Sequence, residues 1–158
     1  MKRIKFMLSA VMFTLLCTTG SASAKETTKY TGTVYGNPVV HLMPLGNGDG
    51  ILIVEITGVV ALSGNPPTVN TLSCSGMGLQ KVNNNITTNF YCNVKENSED
   101  SFDIKGISSE INGKSSGSFD VVGGSGKWSG ATGKGKFLRV LKTEAGNKTV
   151  MEMSITVP

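Results

Sequence analysis

Strict alternation of apolar and polar residues is the feature that most limits what this chain can become. From Ile86 to Val94, Ile86, Thr88, Phe90, Cys92 and Val94 share one face, and Thr87, Asn89, Tyr91 and Asn93 share the other. From Thr149 to Val157, Met151, Met153, Ile155 and Val157 alternate with Val150, Glu152, Ser154 and Thr156. A period of two belongs to a strand, and no sustained i, i+3, i+4 apolar pattern competes with it after residue 24. Ile51–Leu62 is the greasiest stretch and reads as a central strand. Its face of Leu52, Val54, Ile56, Val60 and Leu62 is wholly apolar, and the other carries Ile51, Ile53, Glu55, Thr57 and Val59. Val69–Gln80, Thr28–Tyr35, Val39–Leu45, Phe102–Ile107, Gly117–Val122 and Lys134–Lys142 are further extended candidates. Seven to nine short strands separated by glycine and asparagine imply an all-β domain, an antiparallel barrel or a sandwich.

Residues 1–24 read differently. Lys2, Arg3 and Lys5 precede an apolar run from Phe6 to Cys17, and small residues follow as far as Ala22-Ser23-Ala24. These are the three parts of a secretory signal peptide, with cleavage expected after Ala24 and a single domain over residues 25–158. The apolar run is about a dozen residues, short of the roughly 20 a spanning helix needs, so stable membrane insertion is not expected. The whole chain carries a formal charge of +4, but three of its fifteen basic residues and none of its eleven acidic ones lie in this segment. The remainder is nearly neutral, which removes the electrostatic case for nucleic-acid binding.

Cutting after Ala24 leaves two cysteines, Cys74 and Cys92, in a chain bound for a periplasmic or extracellular, oxidising compartment. Asn83-Asn84-Asn85 supplies turn residues between the Val69–Gln80 and Ile86–Val94 runs. Folding the hairpin about Asn83 sets residues whose numbers add to 166 opposite each other, and Cys74 and Cys92 are such a pair. A cross-strand disulfide is therefore expected, worth about 3 kcal/mol in the chain-entropy picture. One histidine and three cysteines exclude zinc fingers and iron–sulfur clusters, and no metal or cofactor is expected.

The most distinctive run is Gly123-Gly124-Ser125-Gly126-Lys127-Trp128-Ser129-Gly130-Ala131-Thr132-Gly133-Lys134-Gly135-Lys136-Phe137. Gly130–Lys136 has the spacing of a phosphate loop, but Phe137 stands where the magnesium-binding hydroxyl belongs, and no helix follows. Read as strand, turn and strand, the run places glycines where a bulged turn needs them, with Trp128 capping the core. It is similar to the G-G-T-G-x-F-x-G-A-T-G-x-G-x-F signature of the allene oxide cyclase and dirigent-like barrel superfamily, including small secreted bacterial members. Trp128 replaces the usual Phe or Tyr, and Ser125 the usual Thr. The resemblance implies an eight-stranded antiparallel barrel, often oligomeric, whose mouth in some relatives holds an apolar small molecule. No catalytic residue carries over, because the relatives' pocket residues lie outside the shared glycine motif.

Candidates for chemistry are few. His41, inside Val39-Val40-His41-Leu42-Met43, could serve as a general base or could be an ordinary strand histidine. Glu55 would have a raised pKa if it faced the lumen, but alternation sets it on the other face, toward solvent or an interface. Glu96, Glu99, Asp100 and Asp103 cluster without the spacing of a calcium loop. Lys127, Lys134, Lys136, Arg139 and Lys142 form a basic run suited to a solvated rim or an anionic partner, and Arg139 fits either strand face. The leading functional reading is an exported barrel that binds an apolar or amphipathic small molecule inside without turning it over. The second is an interaction or structural protein of the cell envelope, or an inhibitor of a secreted enzyme, acting through an outer face that includes Ile51, Ile53 and Val59. The third is an isomerase or cyclase of an apolar substrate. The partners expected are thus an apolar small molecule and further copies of the chain, a homo-oligomer.

Overall fold

The computed structural model describes residues 25–158, so the expected signal peptide over residues 1–24 lies outside the described residues. Eight strands follow in order: β1 Glu26–Pro44, β2 Gly50–Leu62, β3 Thr68–Gln80, β4 Ile86–Lys95, β5 Ser101–Ile111, β6 Lys114–Ser125, β7 Thr132–Thr143 and β8 Gly146–Val157. Each pairs antiparallel with its sequence neighbour, and β8 returns to β1, closing an up-and-down barrel. Closure leaves no unpaired sheet edge along most of the wall, which is how an all-antiparallel chain avoids edge-to-edge association.

Two expected strands are one. Thr28–Tyr35 and Val39–Leu45 join through Gly36-Asn37-Pro38 into the 19-residue β1. Its lower half pairs with β8 as far as Gly36↔Asn147, and its upper half pairs with β2 from Gly32↔Leu62 to Pro44↔Gly50. Pro38 lies just past the last β8 partner, where a missing N–H on that side breaks no ladder bond. The glycine run also divides differently from expectation. The chain turns through a single 3-10 turn at Gly126–Trp128, and β7 starts at Thr132, two residues before the expected Lys134, so Gly133 joins Gly135 inside a strand. Gly126 (φ 58°) and Gly130 (φ 72°) take the left-handed conformations the turn requires.

Inside the barrel, side-chain size alternates from strand to strand. The register runs Gly76↔Phe90, Phe90↔Gly106, Gly106↔Phe119, Phe119↔Gly135 and Gly135↔Met153, descending obliquely from the open end toward the closed one. A β-carbon on Gly106 would come within 2.5 Å of Phe90 Cζ, and one on Gly135 would fall on the Phe119 ring. These glycines therefore supply the space that aromatic rings from the next strand fill, the large–small alternation that fits side chains into a narrow closed sheet.

The end where β1 begins and β8 finishes is solid. Trp128 leaves the turn and is buried, edge to face with Phe102 at 5.2 Å and Tyr30 at 6.1 Å between ring centroids. Val60, Val94, Phe102, Ala131 and Ile155 belong to the same core, each 1% exposed. Asp100 fixes the turn by accepting from the Lys127 backbone N–H at 2.9 Å.

Substituting Gly135→Ala is expected to cost about 1–3 kcal/mol, the usual penalty of overpacking a filled interior. Phe119→Leu in the same chain should recover part of that loss in a double-mutant cycle of urea unfolding, read by Trp128 fluorescence. Strictly additive losses would contradict the strand-to-strand alternation of sizes.

Candidate lumenal site

Away from Trp128 the lumen is hollow. A cavity of about 590 Å³ opens at the end opposite Trp128, within the range of roughly 300–1,000 Å³ typical of small-molecule sites. Its lower wall is apolar, with Val60, Leu72, Val94, Ile104, Phe119 and Met151. Phe90 and Phe137 reach in from well-separated strands and meet edge to face with centroids 5.7 Å apart. The Cys74–Cys92 disulfide, S–S 1.98 Å, joins the register partners of β3 and β4 and forms part of the lining. Hairpin arithmetic and structure agree on this pair, and both sulfurs belong to the inward face.

The upper wall is divided. On β1–β4 it is mostly apolar, through Pro38, Val40, Leu52, Val54 and Ile86, with Gln80 and Asn84 at the rim. On β5–β8 it carries Ser108, Glu110, Ser115, Arg139, Lys142 and Asn147. Glu110 and Arg139 form an ion pair at 2.9 Å, their side chains 17% and 12% exposed. Lys142 lies 3.7 Å from the same carboxylate oxygen. Hydrogen bonding from the Arg139 guanidinium, reinforced by the charges of Arg139 and Lys142, outweighs desolvation and holds the Glu110 carboxyl below its ordinary value.

Arg139 also donates to the Gly113 carbonyl at 3.1 Å. The β6–β7 ladder stops at Ser116↔Leu138, so this side chain ties the top of β7 to the β5–β6 hairpin where backbone bonds have ended. That hairpin turns on Asn112 (φ 51°) and Gly113 (φ 76°), the left-handed pair a two-residue turn demands.

The structure separates the residues singled out in the sequence. His41 and Glu55 occupy outward positions of β1 and β2, exposed, opposite Ile53 and Val39 respectively, and neither lines the cavity. Of the glycine-rich motif, Gly123, Gly124, Gly126, Trp128 and Gly130 build the closed end, Gly133 and Gly135 lie in β7, and Phe137 alone reaches the lumen lining. The five cations do not form one pole. Lys127 pairs with Glu96 at the closed end, Lys134 with Asp120 and Lys136 with Glu152 on the outer wall, and Arg139 and Lys142 enter the lumen. The acidic cluster is likewise dispersed: Asp100 serves the turn, Asp103 accepts from Asn93 at 2.8 Å, and Glu96 is held by Lys127. Among the described residues, no three His, Cys, Asp or Glu side chains are grouped to hold a metal ion, and no helix is long and apolar enough to cross a membrane.

Nothing in the local sequence marks Glu110 as a site residue, and alternation alone leaves the orientation of Arg139 open. One signal is present: Arg139 shares odd numbering with Gly133, Gly135 and Phe137, all inward on β7. No protein-family model matches the chain, and no curated protein matches it in sequence.

Because folding lowers the Glu110 pKa, this group adds stability that is fully present above its unfolded value and is lost as pH falls through the folded one. Over the acidic range in which a carboxylate takes up its proton, about pH 5 to pH 3, wild type should lose more stability than Glu110→Gln, measured by urea unfolding at each pH. Parallel pH profiles for the two proteins would contradict the ion pair.

Proposed function

We propose that this chain is an exported binding protein that holds one apolar or amphipathic small molecule in its lumen and does not turn it over. The observation carrying this reading is the hollow upper half of a barrel whose lower half is filled. An eight-stranded barrel can fill its interior with side chains or hold one small ligand, and this one is filled at one end and hollow at the other. Export is supported by the signal-like residues 1–24 and by a disulfide, which persists in oxidising compartments. The glycine-rich run and the eight-stranded closed barrel support membership of the allene oxide cyclase and dirigent-like superfamily. A cyclase or isomerase reading draws less support, because His41 and Glu55 point away from the cavity.

A second reading has its own observation. Above Gly36, β1 pairs only with β2, so residues 37–44 present a strand edge with Val39, Leu42 and Met43 about half exposed. Such an edge suits pairing with another strand, as an assembly or inhibitor would use it.

Nile red, a neutral apolar dye, should bind one per chain with enhanced fluorescence. Val54→Trp, which fills the upper lumen, should weaken that binding at least about tenfold while leaving the unfolding midpoint nearly unchanged. Unaltered binding by the filled variant would place the dye elsewhere and remove the lumenal reading.

A further inference from the structure

The polarity of the mouth specifies the ligand's head group, an inference that rests on the lumenal reading above. On the β7–β8 wall, Phe137 pairs with Met151, Arg139 with Thr149 and Lys142 with Asn147. Each inward level lies roughly 6.6 Å above the last, two residues of strand rise. The wall therefore changes from apolar to cationic within one level.

The second cation enters through a bulge. Unbroken alternation after Phe137 and Arg139 would send Leu141 inward and Lys142 outward. The register shifts between Arg139 and Leu141, and Lys142 lines the cavity in its place. An apolar residue available for an apolar lumen is thus displaced by a charged one.

Among the described residues lining the cavity, Glu110 is the one acid against two cations, which leaves a single positive charge uncompensated. Arg139 is already engaged by Glu110 and the Gly113 carbonyl. The Lys142 side chain is 63% exposed and only loosely placed at 3.7 Å from Glu110, so its ammonium keeps donors to offer. Beside it on β8, Asn147 also lines the cavity; its buried, unpartnered side-chain oxygen is an acceptor that calls for a donor, so the attraction for an anion comes from the cations alone.

The geometry points to an amphiphile with an anionic head group as the lumenal ligand. Its aliphatic tail lies against Val54, Ile104 and Phe119, and its head meets Lys142 beside Arg139. A neutral head would leave the cation unanswered, and a cationic head would be repelled by it.

Four twelve-carbon amphiphiles, each kept below its micellar concentration, test this by displacing Nile red from the full barrel at fixed ionic strength: dodecanoate, dodecyl phosphate, dodecanol and dodecyltrimethylammonium. The anions should bind about tenfold tighter than dodecanol, a charge-assisted contact, with the ammonium weakest. The tighter of the two anions identifies whether the head is a carboxylate or a phosphate. Lys142→Gln should weaken both anions about fivefold and leave dodecanol unchanged. Glu110→Gln removes the competing acid and should tighten the anions, whereas a purely structural role for its ion pair would shift all four alike. Equal affinity for anions and dodecanol, or variants that leave their ratio unchanged, overturns the inference while the lumenal reading stands. Displacement by none of the four overturns both.

Discussion

A closed sheet of eight strands has an interior about one side chain across from wall to axis, so the size of each inward residue decides whether that level is solid or empty. At Phe90 and at Phe119, the ring lies between glycines on the strands to either side, and the aromatic atoms occupy the space those glycines leave. Below, Trp128, Phe102 and Ile155 complete the plug. Above, the inward residues are medium-sized aliphatics on one side and mostly polar residues on the other, and they do not fill the space across the axis. The cavity is a consequence of this ordering of sizes along the barrel.

The ordering links stability to binding. The plug and the disulfide, which closes an 18-residue separation and contributes about 3 kcal/mol, hold the lower and middle barrel without help from the upper lumen. The mouth can then carry features that packing alone would not select, including a largely buried ion pair, a lumenal lysine and an unpartnered amide. Charged groups tend to destabilise an interior unless partners satisfy them, which is why the gathering of Glu110, Arg139 and Lys142 at one opening is informative.

Much of the fold is readable in the residues. Alternation locates the strands, and the symmetry of the Asn83 hairpin pairs Cys74 with Cys92. Alternation also places Glu55 outside, because the apolar set of β2 is unambiguous. Other features depend on neighbours that local sequence does not reveal. The joining of two runs into β1 follows from where β8 ends, not from Gly36-Asn37-Pro38 itself. Gly133 and Gly135 resemble turn residues because a glycine that accommodates a neighbouring ring has the same local appearance as one that turns the chain. The inward course of Lys142 depends on a bulge after Arg139, and one extra residue in a strand reverses every assignment beyond it. Glu110 acquires its significance only through the side chains that meet it.

The central claim is that the upper lumen, not the outer wall, receives an amphiphile tail first. A crystal structure with 12-bromododecanoate tests it most directly, since anomalous scattering locates the bromine at the tail's end even where the rest of the chain is hard to trace. The bromine is expected deep in the barrel near Ile104 and Phe119, with the carboxylate at Lys142. A bromine on the outer wall, for instance beside Leu138, Val150 and Val69, or a carboxylate buried at the Phe119 level, would contradict it.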